Sequence, residues 1–212
     1  MSEIPANQSD STETDLIRRI ARGDEEAFVE LYRRRRADVY RFAFAMSKSS
    51  ALAQDVAQDV FLSVLQDATG FDVAKGTVRA WLLGCARHRV VDRMRRDSRV
   101  TEEFPDDAPV VADGEEHYAK KQQLERLHAA IVGLPVEYRE AIVLCELAEL
   151  SYAESADVLG CPVGTIRSRL HRAKALLALR LGELQAGQAA PGKAERSPAG
   201  PAPVLTTSEV CS

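Results

Sequence analysis

Three kinds of side chain in this sequence have the type and spacing to do chemistry. The first are cations. Residues 163–181 hold five Lys and Arg and no acid, and residues 87–99 hold six Arg against two Asp. Runs of this kind neutralise the phosphates of a polyanion. The second are the carboxylates Asp55 and Asp59, which gather with Gln58 on one polar side of a predicted helix. The third are the thiols and imidazoles: Cys85 and His88 at i, i+3, then Cys145, Cys161, His128 and His171. They invite a test for metal binding or nucleophilic catalysis. The four cysteines form no CxxC pair, three of them lie in apolar helical or turn surroundings, and no Gly-rich phosphate loop or paired-His motif accompanies them. No catalytic residue, metal or cofactor is therefore expected, and neither a disulfide framework nor a zinc knuckle.

The elements that must position these groups are helical. The chain of 212 residues is 45% hydrophobic and only 6% aromatic, so Leu, Val, Ile and Ala must build the core. Apolar residues recur at helical spacing and no period-two strand pattern occurs. No apolar stretch reaches membrane-span length and the N-terminus lacks signal-peptide character, so a cytoplasmic protein with no membrane insertion is expected. Net charge is −4, but it is segregated: residues 101–118 carry seven acids and no Lys or Arg, between two net-basic blocks. The expected architecture is all-α, two small helical domains joined by a flexible acidic linker. Its parts are a disordered N-terminus (1–14), a first domain (15–97), the linker (98–118), a second domain (119–181) and a disordered Ala/Gly/Pro-rich tail (182–212). Within the first domain, helices are expected after the Asp24 cap, over about 37–47, over about 51–66 from a Ser50 cap, and from a Thr77 cap to about Arg96. In the third of these, Leu62 and Leu65 are assigned to apolar contacts beside Val56, Val60 and Val64.

Residues 151–177, SYAESADVLGCPVGTIRSRLHRAKALL, read as a helix-turn-helix. Ser151 and Glu154 form a capping box, Ala156 permits a close crossing, Gly160 ends the first helix, and Ile166, Leu170, Ala173 and Leu177 make one buried stripe. Arg167, Ser168, Arg169, His171, Arg172 and Lys174 are left facing outward. Such a helix enters the major groove, where arginine grips guanine edges and phosphates; the plainer reading is a helical hairpin with a solvated basic face. In the first domain the cationic helix end follows a loop holding Phe71 and two glycines, with Trp81 nearby. A basic groove beside aromatic platforms suits single-stranded nucleic acid, although Trp81 alone would as readily be core.

The order DVAQDVFLSVL, RAWLLGCARHRVVDRMRR, acidic linker, LPVEYREAIVL and SYAESADVLGCPVGTIRSRLHRAKALL resembles a bacterial RNA polymerase sigma factor of the extracytoplasmic-function (ECF) type, over residues 15–181. The resemblance implies that Asp55, Gln58, Asp59 and Phe61 dock on the clamp coiled coil of core RNA polymerase. It implies that Phe71, Lys75, Trp81, Arg87, His88, Arg95 and Arg96 read the melted, single-stranded upstream-of-start promoter element. Thr165, Arg167, Ser168, Arg169, His171, Arg172 and Lys174 would read the distal element as duplex. The linker would thread the polymerase channels, and an anti-sigma factor would be a partner. Three positions depart from the family pattern: His88 replaces Asn, Glu149 a common Gly, and Ser155 an aliphatic residue. A stand-alone regulator that binds duplex half-sites as a dimer is the competing class.

Overall fold

In the computed structural model, residues 6–97 and 115–188 are described, with side chains over 12–96 and 122–182. The first bundle comprises α1 (Ala6–Ile20), α2 (Glu25–Ser47), α3 (Ser50–Gln66), two short 3-10 turns and α4 (Val78–Asp97). The second comprises α5 (Glu115–Val132), α6 (Val136–Ile142) continued by a π turn over Val143–Leu147, α7 (Tyr152–Leu159) and α8 (Val163–Gln188). The described residues contain no strand, as the sequence implies, and none of their helices is long and apolar enough to cross a membrane.

Several boundaries differ from expectation for physical reasons. Helix α1 begins at Ala6, inside the segment expected to be disordered. Leu16, Ile17 and Ile20 bury its apolar side, and Glu13, 1% exposed, accepts hydrogen bonds from Arg35 at 2.9 and 3.0 Å. Tertiary contact orders a polar stretch that has no periodicity of its own. Helix α2 is one element of 23 residues rather than two, because the Arg33–Arg36 run favours helix and nothing between Glu25 and Ser47 breaks it. Ser49, one residue before the expected Ser50, caps α3 by accepting from Leu52 N at 3.2 Å. In α3 the buried stripe runs through Ala53, Val56, Ala57, Val60, Phe61 and Val64. At 100° per residue, Leu62 and Leu65 then fall outside, and both are exposed. Helix α5 takes in the last residues of the expected linker, and α8 extends past 181 to Gln188; residues 98–114 and 189–212, with the expectations placed on them, lie outside the described residues.

A chain of charges fastens the first bundle. Arg35 bonds both Glu13 and Asp38, and Arg79 at the start of α4 approaches Asp38 at 3.5 Å. Burial pushes the Asp38 carboxyl up. Hydrogen bonds from Arg35 and Arg41, with the charges of Arg79 and Arg35, outweigh it, and the group sits below its ordinary range. The buried residues of the two bundles merge into one cluster from Leu16 to Ala173. Within the second bundle, between the π turn and α7, Glu149 holds φ 51°. A Cβ in that left-handed conformation costs about 1 kcal/mol, which fits the glycine that the resemblance leads one to expect here.

Glu149→Gly should therefore raise stability by about 0.5–1 kcal/mol, visible as a melting point about 2 °C higher; an unchanged or lower melting point would contradict the strain. Asp38→Asn should cost about 2 kcal/mol at neutral pH. A depressed carboxyl contributes stability above its unfolded pKa and loses it as pH falls through the folded value. Urea midpoints of variant and wild type should thus converge in acid; a gap independent of pH would show that Asp38 acts through shape rather than charge.

Candidate nucleic-acid and polymerase interfaces

The helix-turn-helix is built as its residues dictate. Ser151 Oγ accepts from Glu154 N at 3.2 Å, and the Glu154 carboxylate accepts from Ser151 N at 2.9 Å, closing the capping box. Gly160, at φ 62°, ends α7 in the left-handed conformation that glycine adopts freely. Ile166, Leu170 and Ala173 of α8 are buried, with Leu177 packed beside them. Arg167, Ser168, His171 and Arg172 face solvent, whereas Thr165 and Arg169 are half-buried. Lys174 is exposed, but its ammonium donates to Glu146 at 2.8 Å, and that bond raises its pKa. Ser155, fully buried in place of an aliphatic residue, accepts from Cys145 Sγ at 3.3 Å. The hydroxyl is satisfied by a thiol.

The loop before α4 is held by its own carboxylates. Asp67 accepts from Thr69 N at 2.9 Å and Asp72 from Ala74 N at 3.0 Å, which fixes the two 3-10 turns. Thr77 caps α4, accepting from Ala80 N at 3.2 Å. Phe71 and Trp81 stand 5.6 Å apart, inclined at 55°, and both are half-buried. With Lys75, Cys85 and His88 they line one wall of a cavity of about 730 Å³. His88 is exposed, and its Nδ1 donates to the Gly84 carbonyl at 2.8 Å, which leaves Nε2 outward. Arg95 and Arg96 project from the end of α4.

The opposite wall of that cavity belongs to the second bundle, through Asp157 and Cys161. Arg87 leaves α4 for the same neighbour, donating from Nε to Glu140 Oε1 at 2.8 Å. Thr77 Oγ1 donates to Glu154 at 2.9 Å. Farther along, Arg139 donates to the carbonyls of Met46 at 2.7 Å, Leu134 at 3.0 Å and Val132. His128 Nε2 donates to the Phe44 carbonyl at 2.9 Å. Burial pushes the His128 pKa down and the Cys85 and Cys145 thiols up. Such thiols are poor nucleophiles, and the described residues contain no group of three or more His, Cys, Asp or Glu able to hold a metal.

On the outer side of α3, Asp55 and Gln58 are exposed and Asp59 is half-buried. Arg93 of α4 bonds Asp55 at 2.9 Å and Asp59 at 2.6 Å. Phe61 corrects an expectation. It is 2% exposed, with its ring 5.0 Å from Tyr32 and 6.4 Å from Phe28, and cannot meet a partner. The apolar groups that share the Asp55 and Gln58 face are Leu62 and Leu65. Their spacing of four and seven residues from Gln58 was the available signal.

The family model for Sigma-70 region 2 matches residues 31–100, and that for Sigma-70 region 4 matches residues 124–177. The chain is 37% identical over 171 residues to the ECF RNA polymerase sigma factor SigC of Mycobacterium tuberculosis, covering 80% of this chain and 91% of that one. The chain belongs to the ECF RNA polymerase sigma factors. Two solved structures share its fold. One is CnrH in complex with the cytosolic domain of CnrY, at 26% identity and TM-score 0.62, covering 82% of this chain and 98% of that one. The other is the sigma factor RpoE in complex with the anti-sigma factor NepR from Bartonella quintana, at 25% identity and TM-score 0.61, covering 73% and 96%. As a sigma factor the protein acts in transcription initiation with core RNA polymerase and promoter DNA. Region 2 begins within α2, so α1 precedes the match and supports it through the Glu13–Arg35 pair.

Phe61→Ala should lower stability by about 3–5 kcal/mol through the cavity it leaves, whereas Leu65→Ala should leave thermal unfolding near wild type. Equal, small effects from the two would return Phe61 to the surface.

Proposed function

We propose that this sigma factor directs initiation by presenting two different DNA readers from one chain, with residues 15–97 (extended back to Ala6 by α1) and 119–181 as its functional units. The observation that carries the reading is the outer face of α8, where Arg167, Ser168, His171 and Arg172 lie exposed beside a capped, glycine-closed turn. That face suits the distal element as duplex DNA, with each well-made bidentate contact worth about 1–3 kcal/mol of discrimination. Thr165, Arg169 and Lys174 flank it. Phe71 and Trp81, with Lys75, Arg87, His88, Arg95 and Arg96, suit an unpaired base and its phosphates. Asp55, Gln58 and Asp59, with Leu62 and Leu65 in place of Phe61, form the polymerase-docking face. Exposed ion pairs such as those with Arg93 contribute only about 0–1 kcal/mol, so they can be exchanged for a partner's cations.

The protein works in the cytoplasm, turns over no substrate and needs no cofactor. Its control by an anti-sigma factor is supported by the similar sigma factor RpoE, solved in complex with the anti-sigma factor NepR. Run-off transcription with purified core polymerase on a promoter panel should give defined transcripts that depend on the chain. Arg167→Ala with Arg172→Ala should lower yield at least about tenfold, the loss expected of one or two base contacts. Asp55→Ala with Asp59→Ala should weaken polymerase capture while the fold persists. Tight dimeric duplex binding without polymerase, and no initiation with it, would replace this reading with the stand-alone regulator.

A further inference from the structure

A second cavity lies away from the residues read as DNA contacts. It holds about 320 Å³, within the roughly 300–1,000 Å³ of small-molecule sites. Helix α2, the first turn of α4, α5 and the π turn each supply part of its wall. The floor is apolar, formed by Phe42, Ile131 and Val143, all buried. At the rim Leu124 and Leu147 stand 67% and 50% exposed. A single exposed leucine is ordinary, but two that border an apolar hollow make a patch that water covers unfavourably.

The polar groups of the lining meet around Asp38. Arg41 donates to its carboxylate, and Arg79 Nε lies 3.5 Å from it. Arg35 serves the same carboxylate from outside the cavity. Arg79 Nε is buried and has no hydrogen-bond partner among the described residues. Glu154, which also feels the charge of Arg79, is engaged by Ser151 and Thr77 and lies outside the lining. Burial lowers the His128 pKa, so this last polar member of the lining is uncharged at neutral pH. Two cations thus stand against one anion beside an apolar floor. From this arrangement we propose that the cavity binds a free medium-chain monocarboxylate, its chain on Phe42, Ile131 and Val143 and its carboxylate on Arg41 and Arg79. A carboxylate accepts from guanidiniums in charge-assisted hydrogen bonds, and it gives Arg79 Nε the acceptor it lacks. A flexible chain follows an irregular hollow, whereas an α-helix, about 10 Å across, is too wide for one of this volume. The wall is shared, so the ligand bridges the two bundles and stabilises the chain by mass action. The inference is independent of which residues read DNA.

The test titrates the full-length chain with decanoate below its micellar concentration, with decanol and decylamine as probes of charge, by calorimetry and thermal unfolding. Decanoate should bind one per chain and raise the melting temperature. Decanol should bind at least about tenfold more weakly, as expected when charge-assisted bonds are lost. Arg41→Gln, at a side chain 72% exposed, should bring decanoate down toward the affinity of decanol and leave decanol unchanged. Leu124→Trp, which narrows the mouth, should weaken both. Equal affinity for decanoate and decylamine would mean general adsorption on apolar surface and would overturn the proposal, as would binding indifferent to both substitutions. No saturable uptake of decanoate below about 1 mM would also overturn it. Uptake that then appeared in a chain ended after Gln188 would assign the cavity to residues 189–212 instead.

Discussion

The carbonyls at the C-terminal end of α2 set the constraint on which the rest of the arrangement depends. The last turn of any helix leaves its carbonyls without intrahelical donors, and the negative end of the dipole favours cations there. In this sigma factor the Met46 carbonyl is capped by Arg139 of the second bundle, and the Phe44 carbonyl, which also accepts from Lys48 N, takes His128 as a second donor. Arg139 is 93% buried in making these bonds (7% exposed), and burial is the main reason its pKa falls. It also ties the α5–α6 corner through Val132 and Leu134, so one side chain organises its own bundle and docks it on the other.

Function is distributed unevenly around that joint. Helix α8, proposed to read duplex DNA, keeps its polar face in water because its buried stripe packs on α6 and α7. The helix and loop that suit a melted strand are turned toward α7.

Much of this was written plainly in local sequence. Ser151 and Glu154 announce the capping box, Gly160 the end of α7, and the Ile166, Leu170, Ala173 spacing the buried side of α8; each depends on neighbours within one helical turn. The misreadings share the opposite cause. Glu13 looks like part of a solvated acidic leader until Arg35, 22 residues away, gives its carboxylate a partner. Phe61 carries an aromatic ring that a partner could use, and only Tyr32 and Phe28 decide that it stays inside. Arg87 is one cation among six in its run, and nothing within that run distinguishes the one that meets Glu140, 53 positions on. Glu149 is the instructive intermediate: its departure from glycine was visible, and the backbone angle of 51° supplies the reason.

Energy transfer between dyes at Ala21→Cys and Ala178→Cys, both exposed positions on different bundles, measures the separation of the two units directly. The four native cysteines are first replaced. The free protein should give one high-efficiency population, which shifts to low efficiency when core polymerase is added and stays there when promoter DNA follows. An efficiency that is the same with and without polymerase would contradict the proposal that the two units are presented to separate promoter elements.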